Sequence, residues 1–248
     1  MFYILHNGDS FEYIKDNIKD NSVDLLLTDI PYIVSVENQI TTMKDRDGRN
    51  GLDFGEWDKS FEVSRLVEFI PKLTKNGSLV VFHSFEQLGE LLNVFSEKLS
   101  LKDRLIWEKS NPMPRNADRR YIVNIEMASW WTKGNDWVFN RQSNTYDTCV
   151  LRYPSESGGA FTRFHPTQKN VDLMSELVRR HSNEGDIVLD PFMGSGSTGV
   201  ACMLNGRNFI GIEAEKKYYD IAEQRIVAAK CGATPTISKD TVNNKRLF

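Results

Sequence analysis

The run Asp190-Pro191-Phe192-Met193-Gly194-Ser195-Gly196-Ser197-Thr198-Gly199 comes so late in the 248-residue chain that only 49 residues follow it. It follows the apolar triplet Ile187-Val188-Leu189 directly, and Ser197–Asn205 reads as a helix. A strand, a glycine-rich loop and a helix in succession are a unit of the doubly wound α/β sheet, whose ligands sit at the carboxyl ends of its strands. Such a sheet needs more strands than 49 residues can supply. The others must come from the N-terminal part, so the order is circularly permuted relative to a dinucleotide fold, which opens on its glycine loop.

The rest of the chain provides what this requires. Val23–Asp29, Leu79–Phe82, Arg104–Trp107 and Asn208–Ile212 are short apolar runs bounded by turn residues, and Ile125–Trp131 reads as a further strand. Helical stripes lie between them, one through Leu88, Leu91, Leu92, Phe95 and Leu99, another through Val171, Met174, Leu177, Val178 and His181. Phe11–Ile18 is a third helix, with Asp9 placed as its cap. The expected fold is a doubly wound, mostly parallel sheet with helices on its faces. With 40% hydrophobic residues, the chain can bury one core and carry a small lobe.

Gly194, Gly196 and Gly199 have G-x-G-x-x-G spacing, which lets backbone approach a ligand closely. That spacing serves dinucleotides as well as S-adenosylmethionine (SAM), and short Gly/Ser runs also make plain turns. Two further features favour a nucleoside cofactor. The strand Asn208–Ile212 ends in Glu213, suited to a ribose diol, and no lysine follows the glycines as in a nucleoside-triphosphate loop.

A second motif ends the strand Val23–Asp29. Asp29-Ile30-Pro31-Tyr32 offers a carboxylate, a backbone carbonyl at Ile30, a stiff turn at Pro31 and a flat ring at Tyr32. The amine of adenine or cytosine is a poor nucleophile because its lone pair is delocalised into the ring. Two acceptors gripping its two N–H groups draw that pair out, while an aromatic ring holds the extruded base. Proximity and orientation then supply most of the catalysis.

Composition narrows the setting. Three cysteines, Cys149, Cys202 and Cys231, lack metal spacing, so a reduced cytoplasmic location and no metal are expected. No stretch has the length of a membrane span, and the first twenty residues lack an apolar signal core. The net charge is −3, yet Ser110–Lys169 holds eight Lys or Arg against five acids, an excess of three that leaves the remainder at −6. A basic patch on an acidic body suits a protein that meets nucleic acid on one face.

With these motifs in this order, the chain resembles the β-type DNA amino-methyltransferases, the N6-adenine and N4-cytosine enzymes whose catalytic motif precedes the SAM motif. It is most similar to adenine-specific members of restriction–modification systems and phages, from about Leu5 to Ile226. The resemblance implies a Rossmann-like methyltransferase fold and a site-specific transfer from SAM to adenine N6 in DNA after base flipping. Asp29, Ile30, Pro31 and Tyr32 become the catalytic motif, and Asp29 points to adenine, since Ser is typical there in N4-cytosine enzymes. Asp190, Phe192, Gly194, Ser195, Gly196, Thr198 and Glu213 become the cofactor cradle. Asn7-Gly8-Asp9-Ser10, through Asp9, resembles the segment at the cofactor's adenine. His165-Pro166-Thr167-Gln168-Lys169 resembles the segment at its methionine part, through Thr167 and Lys169. Gly55–Lys59 and Ile106–Pro112 also look like family segments.

DNA is the implied partner, with Arg115, Arg119, Arg120 and Arg141 as candidate contacts to phosphates or guanine edges. A homodimer and a companion restriction endonuclease are also in keeping with the family. The implied division is a core of 1–109 and 165–231, a small target-recognition insertion at 110–164 and a frayed tail at 232–248. The polar segment Lys44–Gly51 is expected to close over DNA, whereas Trp130, Trp131 and Trp137 are expected in the core. The family's usual Asp-Pro-Pro-Tyr has Ile30 in place of its first Pro, and Asn170 likewise replaces a common Pro. The lost rigidity is worth about 0.4–1 kcal/mol. Activity is still expected, because Ile supplies the same backbone carbonyl. Methylation of cytosine N4, RNA or single-stranded DNA, and a non-catalytic SAM- or DNA-binding regulator, stay open as alternatives.

Overall fold

In the computed structural model, residues 1–32, 61–112, 119, 121–156 and 168–233 are described. Eight strands form one sheet: β1 (Tyr3–Asn7), β2 (Val23–Asp29), β3 (Leu73–His83), β4 (Ser100–Lys109), β5 (Ile125–Thr132), β6 (Val150–Tyr153), β7 (Ile187–Asp190) and β8 (Asn208–Glu213). Their order is β1-β8-β7-β2-β3-β5-β4-β6. Only β5 runs against its neighbours; the other pairings are parallel. The permuted order follows, since the two strands that carry the motifs, β2 and β7, lie side by side with Leu26 opposite Leu189.

Five α-helices accompany the sheet: α1 (Ser10–Asn17), α2 (Leu88–Phe95), α3 (Val171–His181), α4 (Ser197–Leu204) and α5 (Lys216–Lys230). A 3-10 helix spans Val63–Lys72. The period of two along each strand sends alternate residues to opposite layers. Leu25, Leu27, Val80 and Phe82 pack with Leu173, Leu177, Ala201 and Ile226 of α3, α4 and α5. Leu26, Leu79 and Val81 pack with Ile14, Phe69 and Phe95 on the other face. The sheet is therefore doubly wound.

The strands read from the sequence all recur, with extensions of a few residues. The edge strands β1 and β6 had no clear signal. They are short and half-exposed, so neither alternates cleanly. Trp130 and Trp131 are buried as expected, while Trp137 is partly buried beneath the Lys102 ammonium. Two strands from the span 110–164 belong to the sheet: β5 lies between β3 and β4, and β6 extends the edge beyond β4. Lys44–Gly51, Gly55–Lys59 and the tail beyond residue 233 lie outside the described residues.

Candidate active site at the carboxyl ends of β2 and β7

Strand order reverses between β2 and β7. From β2 the chain moves to β3 on one side, and from β7 to β8 on the other. A crevice opens at such a switch point, beyond the carboxyl ends of the two strands. Both motifs lie there. Thr28 Oγ1 donates to Asp190 Oδ1 at 2.8 Å, tying the two strand ends together.

The cradle's glycines divide their work. Gly194 has φ +52°, and a Cβ added there would meet nothing within 4 Å. That open space is what a close-approaching ligand needs. Gly196 and Gly199 instead let α5 come close: a Cβ on Gly196 would stand 2.8 Å from Ala222 Cβ, and one on Gly199 2.4 Å from Ile226 Cδ1. The loop is also held from behind. Arg225 Nη1 donates to the Ser195 carbonyl at 2.5 Å and to Ser195 Oγ at 3.0 Å. Asp190 accepts from Thr198 Oγ1 at 2.6 Å and from the Phe192 N–H at 3.1 Å. Burial pushes the Asp190 carboxyl up to about 6. Asp190, Ser195 and Thr198 thus shape the loop, leaving Gly194, the partly exposed Phe192 and Glu213 along its outer rim.

Glu213 Oε2 accepts from Gly194 N–H at 2.9 Å, and Oε1 accepts from Glu215 N–H at 2.8 Å. Each oxygen keeps a lone pair for a further donor. Burial raises this carboxyl to about 7 against those two bonds. Its folded value lies above the unfolded one, so its contribution to stability is present at low pH and is lost as pH rises through about 7. Ligand binding has the opposite sign, because a ribose diol donating from both hydroxyls is held more strongly by the carboxylate than by the protonated carboxyl, one of whose oxygens carries its own proton. SAM affinity measured by calorimetry is expected to be about tenfold weaker at about pH 6 than at about pH 8. Glu213→Gln should flatten that dependence. A flat profile in the unaltered protein would remove Glu213 from the ribose.

At the clamp, Asp29 Oδ2 accepts from Lys169 Nζ at 2.6 Å, while Oδ1 is buried without a hydrogen-bond partner among the described residues. Burial raises the Asp29 carboxyl above the ordinary range, with the Lys169 charge opposing it. The Tyr32 hydroxyl lies 3.4 Å from both Lys169 Nζ and Glu126 Oε2, so its ring borders the same crevice. The Gln87 side-chain amide donates to the Pro31 carbonyl at 2.7 Å, which leaves the Ile30 carbonyl as the acceptor beside Asp29. The Ile30 side chain is buried, and its N–H donates to the Phe82 carbonyl at 3.2 Å. A proline has no N–H to donate and a smaller apolar side chain, so Ile30 replaces rigidity with a ladder bond and fuller core packing. Ile30→Pro is expected to cost about 1–3 kcal/mol in urea unfolding. Unchanged stability would show that the bond and the packing carry no weight.

Other expected site residues divide. Asp9 caps α1 by accepting from the Glu12 N–H at 2.9 Å. Asn7 of the same segment donates to the carbonyls of Glu213 and Ala214 at 2.8 and 3.0 Å, joining it to the cradle. Lys169 differs from expectation. Its ammonium faces Asp29 and Glu126, 2.6 and 2.9 Å away, where a cofactor carboxylate was expected. Asn170, standing where the family has proline, caps α3 through the Leu173 N–H at 3.0 Å. Arg119 lies in the connection from β4 to β5, at the same edge as Asp29. Arg141 does not, because β5 is antiparallel and delivers the chain to the opposite edge. There the neighbouring Asn140 bonds the carbonyls of Arg179 and Ser182 at the end of α3. Thr167, Arg115 and Arg120 lie outside the described residues. Glu126 and Gln87 escaped the sequence reading, and Lys109 entered it only within the family-like segment Ile106–Pro112. The lone charged side chain of the strand Ile125–Trp131 was the available signal for Glu126.

A family model for DNA methylases of the N6 and N4 type matches residues 23–224, from the start of β2 into α5. The chain belongs to this family. Curated DNA methylases similar to it include the type II methyltransferase M2.DpnII of Streptococcus pneumoniae, 30% identical across 91% of this chain and 90% of that protein. The type II methyltransferase M.HinfI of Haemophilus influenzae is 31% identical across 88% of this chain and 67% of its own length. Among solved structures, the M1.HpyAVI–SAM complex superposes with a TM-score of 0.71 at 34% identity, covering 91% of this chain and all of that one. The cytosine-N4-specific PvuII methyltransferase shares the fold, with a TM-score of 0.71 at 18% identity.

The residues of this methylase fit SAM. The space at Gly194, the two free lone pairs on Glu213 and the unpartnered Asp29 Oδ1 stand at or just beyond the carboxyl ends of the adjacent strands β7, β8 and β2. Among the described residues no cluster of His, Cys, Asp or Glu could hold a metal ion, and no helix is long and apolar enough to cross a membrane.

Proposed function

We propose that this methylase transfers a methyl group from SAM to the N6 amine of adenine at specific DNA sites. The observation that carries the reading is Asp29, whose Oδ2 is held by Lys169 while Oδ1 lies buried and unpartnered beside the Ile30 carbonyl. A buried acceptor without a donor is costly, and the amine of an extruded base supplies the missing N–H. SAM supplies a methyl group on a cationic sulfur. Asp29 Oδ1 and the Ile30 carbonyl accept the two N–H groups of the amine and expose its lone pair, and the Tyr32 ring stacks on the base. Asp at the first motif position supports adenine over cytosine.

The similarity to type II methyltransferases supports a role beside a restriction endonuclease that reads the same sequence. That role places the protein with cellular DNA, in the cytoplasm. Arg119, on the Asp29 edge, is the proposed reader of that sequence. The test is to incubate DNA with methyl-labelled SAM, digest it and separate the nucleosides by mass spectrometry. Label in N6-methyladenosine supports the reading, and label on cytosine overturns the base assignment.

A further inference from the structure

Asp29 is one corner of a partly buried charge cluster, drawn from four separate parts of the fold and centred on the buried Lys169. Lys169, just before α3, donates to Asp29 Oδ2 of β2 at 2.6 Å and to Glu126 Oε2 of β5 at 2.9 Å. Lys109 of β4 pairs with the other Glu126 oxygen at 2.6 Å. β2 and β5 are not neighbours: β3 lies between them, with Phe82 opposite both Asp29 and Ala128. The Lys169 ammonium bridges that strand, 5.1 Å from the Phe82 ring and 5.4 Å from the Tyr32 ring.

An ammonium has three N–H donors. The acceptors within reach are Asp29 Oδ2, Glu126 Oε2 and, at 3.4 Å, the Tyr32 hydroxyl. The set is filled by the protein, and none is left over for a cofactor carboxylate. The lysine's backbone is equally fixed, since its carbonyl accepts from Ser197 Oγ at 2.8 Å and Asn170 caps the helix that follows. Lys169 is only 5% exposed, so it is a built element and not a surface lysine folded inward.

We propose that Lys169 and Glu126 are positioning residues of the methyl transfer: Glu126 pins the Lys169 ammonium, which occupies Oδ2 of Asp29 and leaves Oδ1 aimed at the base amine. The proposal rests on the amine-methylating reading of Asp29. Its logic is electrostatic. The charged groups facing Asp29 are Lys169, Glu126 and Asp190, with the Tyr32 phenol beside them. Without the lysine, buried carboxylates would face one another and one would take up a proton. A protonated Asp29 cannot draw out the lone pair of an amine. Burial works against the Lys169 charge, but Asp29 and Glu126 outweigh it and raise its pKa, so the ammonium persists. Burial also pushes Glu126 up, yet Lys169 and Lys109 hold it down at about 2.

The experiment compares Lys169→Met, Lys169→Arg and Glu126→Gln with the unaltered enzyme. Methylation of duplex DNA is followed across pH, SAM affinity by calorimetry, and folding by thermal melts. Lys169→Met should lose roughly 100-fold in kcat near pH 6.5 and less near pH 8.5, with SAM affinity little changed. Lys169→Arg should recover much of the loss. Glu126→Gln should lose about tenfold in kcat, again without weakening SAM. A loss equal at every pH and shared by the arginine variant would reduce the cluster to a structural brace. Weakened SAM binding with full kcat at saturation would return Lys169 to the cofactor. Both results overturn the proposal.

The ¹³C titration of the Asp29 carboxyl in the free protein gives a readout independent of activity. It should move to higher pH in Lys169→Met and return in Lys169→Arg. An unmoved titration in a folded Lys169→Met protein also overturns the proposal. Unaltered enzyme that labels no DNA amine would overturn the functional reading itself, while the titration still judges the hold of Lys169 on Asp29.

Discussion

Asp29→Ala should abolish methyl transfer to DNA, by at least about 10³-fold in kcat, with SAM affinity within about twofold of the unaltered protein. The size follows from the number of jobs that end together. The variant loses the Oδ1 acceptor for the amine and the anion beside the reacting nitrogen, and it leaves Lys169 to Glu126 and the Tyr32 hydroxyl. SAM affinity is spared because Gly194, Phe192 and Glu213 lie on the neighbouring strands β7 and β8 and their loops. The measurement is single-turnover labelling of DNA beside calorimetry of SAM.

The same change should leave stability intact or raise it. Burial lifts the Asp29 carboxyl above its ordinary value, so the charged form is costly to the fold near neutral pH. Sites kept for chemistry commonly carry such a cost. A melting temperature for Asp29→Ala at or above that of the unaltered protein is the expected result. A clear drop would make Asp29 a structural partner of Lys169 first and a clamp second.

Gly199→Ala is the second large effect, and it acts on the fold. Its Cβ would stand 2.4 Å from Ile226 Cδ1 and 2.6 Å from Phe209 Cε1. The isoleucine tip can rotate away, but the Phe209 ring of β8 is fully buried in the layer it shares with α3, α4 and α5. Overpacking of this kind costs about 1–3 kcal/mol, or roughly 5 °C in melting temperature for a domain of this size. Gly194→Ala is the control. Its Cβ meets open space, and only the φ of +52° is unfavourable, so SAM binding should weaken more than stability. Equal melting temperatures for Gly199→Ala and the unaltered protein would show that α5 can back away from α4. The sequence pattern that reads as one cofactor motif thus serves two ends, a ligand at its first glycine and helix packing at the other two.

The linear chain carried the parts of this protein that depend on near neighbours. Short continuous apolar runs mark β2, β7 and β8, strands buried on both faces, and a stripe of period 3.6 marks α3. Asp29-Ile30-Pro31-Tyr32 and the glycine run declare their chemistry by residue type, and their order in the chain, clamp before cradle, marks the permutation. What tertiary structure decided is which groups of distant sequence share one buried volume. Lys169 lies 140 residues from Asp29, and Glu126 belongs to a strand two places away in the sheet; no local spacing ties them together. The reversed direction of β5 is equally non-local. It carries Glu126 to the catalytic edge and takes the following chain, with Arg141, to the opposite edge. The Coulomb energy of an ion pair depends on distance through space and on the burial around it, and both exist only once the sheet has closed.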